Sequence, residues 1–125
     1  MMIIKDLIAQ QKTVLLPKII GEGEMVFCEV KDLSMLEEGP FHILSPDESC
    51  PVSDLIDLLI IPLTGYDQNG YRLGMGGGYY DRYLTRHHLI SCGLAFSFQK
   101  CTFDVYPHDQ KMNYLVNEKE RLTFA

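Results

Sequence analysis

"LLIIPLTGYDQNGYRLGMGGGYYDRYL", residues 58–84, holds an apolar run, a proline, and four glycines between Arg72 and Asp81. The order is strand, loop, glycines, helix. Residues 55–63 are apolar apart from Asp57, Pro62 and little else, the pattern of a strand buried on both faces of a parallel sheet. Pro62 is expected to end its ladder pairing. Residues 80–88 have helical character. In open α/β sheets, ligands bind beyond the carboxyl ends of the strands, which is where these glycines lie. Lacking Cβ, they let main-chain N–H groups approach an anion closely. The helix that follows offers its own N-terminal N–H groups and the positive end of its dipole. Arg72 adds a fork of donors suited to phosphate oxygens. Asp81, in the first helical turn, suits a magnesium ion travelling with a nucleotide.

General motifs do not refine this reading. Gly74-Met75-Gly76 begins like a dinucleotide fingerprint, but Tyr79 stands where the last glycine belongs. Gly65 and Gly70 have phosphate-loop spacing, but Tyr71-Arg72 replaces the required Lys-Ser/Thr. From the residues alone the stretch is either a phosphate-binding loop of no defined class or a structural turn. Tyr79, Tyr80 and Tyr83 are equally open to a core role, and Arg72 and Arg82 to a surface one. Four glycines flanked by Arg72 and by Tyr79-Tyr80-Asp81, just past a buried strand, favour the anion site.

The rest of the chain frames this segment. Residues 1–11 place Ile3, Ile4, Leu7 and Ile8 at helical spacing, with no capping residue ahead. Residues 13–16 read as a short strand stopped by Pro17, and residues 24–30 as a second, with a turn at Gly21 and Gly23. Residues 32–37 read as a short helix and 45–54 as a surface loop. Residues 91–96 and 113–116 are further strand candidates. Interleaved strands and helices predict an α/β layer fold.

The 125 residues are expected to form a single domain. A net charge of −6 argues against a nucleic-acid or anionic-membrane surface as the main partner. No apolar run is long enough to span a bilayer. Cys28, Cys50, Cys92 and Cys101 are scattered without metal-site spacing and read as reduced thiols of a cytoplasmic protein.

Residues 58–84 closely resemble the signature of the 5-formyltetrahydrofolate cyclo-ligase family, also called methenyltetrahydrofolate synthetase. Gly70, Arg72, Leu73, Gly74, Gly76, Gly78, Tyr79, Tyr80 and Asp81 all fit the pattern. "KTVLLPKI" at 12–19 is similar to the family's early strand, and "PHDQKMNYLVNE" at 107–118 to its C-terminal segment. The resemblance covers nearly the whole chain. It implies a three-layer, Rossmann-like α/β fold with a mainly parallel sheet. It also implies ATP- and magnesium-dependent conversion of 5-formyltetrahydrofolate to 5,10-methenyltetrahydrofolate. In that reaction the γ-phosphoryl goes to the formyl oxygen, a neighbouring folate nitrogen attacks, the ring closes, and phosphate leaves.

The site residues that the resemblance implies are specific. ATP is held by Arg72, Leu73, Gly74, Met75, Gly76, Gly77, Gly78, Tyr79 and Tyr80. The formyl end of the folate lies against Met75, Gly76, Gly77, Gly78 and Tyr79, with Arg72 and Tyr79 in catalytic positions. Asp81 and Asp109 match the magnesium ligands; so far apart in the chain, they meet only through the fold. Asp109 is alternatively a turn residue, and His87, His88 and His108 are expected to be exposed. Family members are longer at the N-terminus, where a helix bearing Lys and Arg, a first strand and a folate-contacting Glu are expected. Three readings follow: a shortened homologue that binds without turnover, one part of a split enzyme completed by another chain, or a start site placed late. Exposed apolar surface then favours a homodimer or a complementing N-terminal chain.

Overall fold

A computed structural model of the chain describes residues 2–39, 43–74 and 78–124. It divides into two compact units, residues 1–56 and 57–125.

The first unit opens with helix α1 (Met2–Ala9). Strands β1 (Leu15–Gly21) and β2 (Glu24–Glu29) follow as an antiparallel hairpin. Pro17 does not stop β1, as the sequence predicts; the strand runs through it. With only one neighbour in the sheet, β1 can accommodate a residue that lacks an N–H. The predicted helix over 32–37 shrinks to a 3-10 turn at Leu33–Met35, capped by the Asp32 carboxylate, which accepts the Ser34 N–H at 2.8 Å. The chain then extends into β3 (Leu36–Glu38), which pairs antiparallel with β4 (Leu44–Pro46). The loop predicted over 45–54 is therefore partly strand, and Ser45 and Cys50 are buried. Its Ser-Pro-Asp composition suggested solvent, but pairing with β3 turns Ser45 inward. Cys28, Val30 and Cys50 form the core of this unit, with Leu16, Val26, Met35 and Leu36 packed against them.

The second unit is built on a four-stranded sheet. Strand β5 (Leu59–Ile61) leads through β6 (Gly65–Tyr66) and β7 (Arg72–Leu73) to helix α2 (Tyr79–Arg86). Strands β8 (Ser91–Leu94), β9 (Tyr114–Val116) and β10 (Arg121–Thr123) complete it. The order is β10-β9-β8-β5, with β5, β8 and β9 parallel and β10 antiparallel. An α/β fold is what the interleaved pattern predicts. The apolar run of 55–63 yields only three strand residues, however, and it is not buried on both faces. Leu59 and Ile61 are buried, whereas Ile60 points to the other face and is 43% exposed. Asp57 is exposed.

At the carboxyl ends of the parallel strands the loops are tied to one another. Asn117, just past β9, donates from Nδ2 to the buried Tyr66 hydroxyl at 3.2 Å. Its Oδ1 accepts the N–H groups of Lys119 and Glu120 and so shapes the turn into β10. The β6–β7 hairpin pairs Gly65 with Leu73 and Tyr66 with Arg72. Its loop is closed by Asp67, whose Oδ1 accepts the N–H groups of Asn69 and Tyr71 at 2.9 and 3.0 Å. All four cysteines are free thiols, and burial pushes Cys28, Cys50 and Cys92 up from their ordinary thiol value. Among the described residues, no helix is long and apolar enough to cross a membrane.

Gly70 closes the same loop with φ +96°, and a Cβ there would lie 2.5 Å from Cγ of Phe124. Gly70→Ala is expected to cost more than about 2 kcal/mol, because backbone strain and overlap add. Urea unfolding of the variant measures that loss as a lower midpoint.

Candidate functional site

Two elements bring the charged residues of the signature together. The hairpin delivers Arg72 at the start of β7, and the glycine stretch returns the chain into α2 eight residues long. Gly78 caps the helix in the left-handed conformation, φ 67°, with no side-chain capping bond. The first turn of α2 then presents Tyr79, Tyr80 and Asp81.

Arg72 is the centre of the arrangement. It is not a surface residue: its side chain is 5% exposed. Nη1 donates to the Pro62 carbonyl at 3.2 Å, Nη2 lies 4.0 Å from Oδ1 of Asp81, and the guanidinium sits 5.4 Å from the ring centroid of Tyr80. Nε is buried, and among the described residues it has no hydrogen-bond partner. Burial pushes the Arg72 guanidinium down from its ordinary value, while Asp81, Tyr80 and Asp109 pull it back up. It stays cationic, as an arginine does in a protein. Burial likewise pushes the Tyr80 phenol up, with Arg72 opposing.

Asp109 reaches the same neighbourhood from a distant loop. Its Oδ2 accepts the Tyr106 N–H at 2.9 Å, which makes it a turn residue as well, and its charge acts on Arg72. The next residue, Gln110, donates its N–H to Oδ1 of Asp81 at 3.1 Å. So the fold joins the Asp81 and Asp109 segments, which are 28 residues apart in the chain, as their numbers show. Tyr79 takes a different partner, lying 5.6 Å beneath the guanidinium of Arg82. A cleft of about 300 Å³ opens beside the helix start, lined by Gly78, Asp81, Arg82, Thr85 and His108. His108 is 78% exposed, with Nε2 3.5 Å from Oδ1 of Asp109, and His87 stacks on Tyr83 at 4.2 Å. Leu73 and Gly74 are exposed, and Met75, Gly76 and Gly77 lie outside the described residues.

The residues present suit an anion accompanied by a hard cation. Among the described residues the buried Nε lacks an acceptor, and the missing Cβ of Gly74 makes room for the Arg72 guanidinium itself, since a Cβ there would come within 2.9 Å of Nη1. The described residues gather no group of three or more His, Cys, Asp or Glu side chains for a metal. Magnesium does not require one, since one or two carboxylates plus phosphate oxygens and water suffice. Sequence reasoning missed the supporting contacts from Pro62, Gln110 and Thr64. Thr64 Oγ1 donates to the Leu73 and Gly74 carbonyls at 3.2 and 3.4 Å. The Asp-x-Asn-Gly turn of 67–70 is the signal that would have found the hairpin.

Because the Arg72 charge is buried, its partner matters more than a surface partner would. Asp81→Asn keeps an acceptor for the Gln110 N–H but removes the charge, and a loss of about 1–3 kcal/mol is expected. In an Arg72→Met background the same change should cost less than half as much, which a double-mutant cycle by urea unfolding reads directly. The raised Tyr80 phenol has a separate signature. Below about pH 10 both folded and unfolded chains hold it neutral. As pH rises from there the unfolded chain ionises first, so stability falls. Tyr80→Phe should flatten that alkaline decline in the unfolding midpoint.

The sequence model of the 5-formyltetrahydrofolate cyclo-ligase family matches residues 1–118. The 5-formyltetrahydrofolate cyclo-ligase of Mycoplasma pneumoniae is 32% identical over 105 residues, which is 82% of this chain and 54% of that protein. The mouse cyclo-ligase is 31% identical, covering 93% of this chain and 65% of its own length. Among solved structures, the 5,10-methenyltetrahydrofolate synthetase of Aquifex aeolicus superposes with a TM-score of 0.82 at 32% identity, over 97% of this chain and 62% of that one. The chain thus spans between about half and two thirds of the length of these relatives. With a match from the first residue to the end of the last parallel strand and beyond, the chain belongs to the 5-formyltetrahydrofolate cyclo-ligase family.

Proposed function

We propose that this chain binds ATP with magnesium and takes part in the cyclisation of 5-formyltetrahydrofolate to 5,10-methenyltetrahydrofolate, releasing ADP and phosphate. The observation that carries the proposal is the buried guanidinium of Arg72, with an unpartnered Nε, set beside Asp81 and Asp109 at the start of α2. A desolvated cation attracts an anion more strongly than one in water, and an unmet guanidinium donor suits a phosphate oxygen. Family membership supplies the reaction class. The full-length relatives carry the name of that activity, and its extension to this shorter chain is our reading. We also read residues 1–125 as one cyclo-ligase-like domain of three-layer, Rossmann-like type.

Each residue then has a task. Arg72 grips the phosphate tail, held in place by Pro62, Tyr80 and Asp81. The family signature assigns residues 73–78 to the tail, and the four glycines among them carry no side chain to block main-chain N–H groups. Tyr79 and residues 75–78 face the formyl end of the folate. Asp81 and Asp109 hold magnesium, which supplies charge neutralisation for the phosphates when bound. Catalysis is positioning and electrostatic stabilisation, since phosphoryl transfer requires little covalent chemistry from the protein.

Titration calorimetry with Mg·ATP tests the reading. The native chain should release or absorb heat on binding, and Arg72→Ala should weaken affinity at least about 30-fold, the equivalent of about 2 kcal/mol. Arg72→Lys should not restore it, because a lysine lacks the Nε donor and the planar fork. Absence of binding by the native chain, or unchanged affinity in Arg72→Ala, refutes the phosphate role. Following the conjugated methenyl product by absorbance separates the two forms of the proposal. Turnover marks an enzyme, and nucleotide binding without product marks a binding module.

A further inference from the structure

The turn after β8 exposes two large aromatic rings. Phe96 is 58% and Phe98 80% exposed, and the rings stack with centroids 5.5 Å apart and planes 9° apart. This turn is held on both sides. The Ser97 N–H and Oγ donate to Oε1 and Oε2 of Glu118 at 2.6 and 2.9 Å. Gln99 accepts the Phe96 N–H through Oε1 at 2.8 Å and donates from Nε2 to the Thr64 carbonyl at 3.4 Å. Thr64 in turn bonds the Leu73 and Gly74 carbonyls, at the root of the glycine stretch. The hydrogen bonds that fix the aromatic turn therefore also fix the arm carrying the anion site. Both lie past the carboxyl ends of adjacent parallel strands, β5 and β8, where α/β sheets place their ligands.

An exposed aromatic pair forgoes burial that such rings ordinarily gain. A fixed pair beside an anion site suits a ligand with both a polyanionic or acidic part and a flat ring. We propose that Phe98, backed by Phe96, is a stacking platform for the nitrogen heteroaromatic ring of a ligand held at this site, either the adenine of a nucleotide or the flat pyrimidinone ring of a reduced folate's pteridine. The inference rests on the ligand classes proposed above and adds two residues outside the glycine signature. Stacking of a flat base on an aromatic side chain is sequence-tolerant and sizeable, and Gln99 and Glu118 remove much of the ordering cost beforehand.

Equilibrium dialysis of three ligands in magnesium-containing buffer tests it: ATP, 5-formyltetrahydrofolate and inorganic tripolyphosphate, each against the native chain, Phe98→Ala and Phe98→Tyr. Phe98 is too exposed for its loss to unfold the chain. Phe98→Ala should weaken one ring-bearing ligand at least about fivefold while leaving tripolyphosphate unchanged, and Phe98→Tyr should bind as the native chain does. Loss confined to ATP identifies adenine, and loss confined to 5-formyltetrahydrofolate identifies the pteridine. Unchanged binding of both ring-bearing ligands overturns the platform. Equal weakening of ATP and tripolyphosphate also overturns it, since that marks a distorted glycine arm. Native tripolyphosphate binding with no Phe98 effect removes the platform alone. Failure of the native chain to bind tripolyphosphate removes the Arg72 reading, and failure to bind either ring-bearing ligand removes both.

Discussion

A guanidinium taken out of water has to be compensated, and in this chain that need organises the site. Arg72 is almost fully buried, and its charge is met by Asp81 at 4.0 Å, the Tyr80 ring and the Pro62 carbonyl. Those partners come from α2 and from the end of β5, so satisfying one cation fixes the hairpin against the helix start. The compensation is incomplete, because among the described residues Nε has no acceptor. A fully satisfied buried ion pair would be structural and closed to ligands. One left short of an acceptor holds its own geometry while keeping a donor unmet.

Around this centre the loops at the carboxyl ends of the sheet brace one another with hydrogen bonds, one of them to the Glu118 carboxylate. Asn117 reaches Tyr66, Glu118 holds Ser97, and Gln99 reaches Thr64. Each bond joins a residue following one strand to a residue following another. The described residues on either side of the glycine stretch are anchored, Leu73 by Thr64 and Gly78 at the start of α2.

What could be read before the fold was known depended on how local the physics is. Helix α2, the first hairpin and the strands at 91–94 and 114–116 followed from periodicity and turn residues, because those signals act over a few neighbours. The signature over 70–81 pointed to an anion site for the same reason, since glycine freedom and a helix N-terminus are local properties. Pro17 misled, because whether a missing N–H matters depends on which strands flank it. Residues 45–54 misled because polar composition says nothing about pairing with β3. The run of 55–63 overstated its strand, because only the register with β8 decides which residues are paired.

The amino-acid order by itself determined that an arginine, a glycine arm and an acidic helix start follow an apolar strand, and it marked the family through that order. Only the tertiary structure decided that Arg72 is buried, that its Nε lacks a partner, and that Asp109 and Gln110 come to Asp81 from 28 and 29 residues away. It alone showed Phe96 and Phe98 standing exposed beside the glycine arm. The physical reason is range: conformational preference is set by a residue's neighbours in the chain. Desolvation and charge pairing are set by its neighbours in space, which the sheet assembles from distant segments.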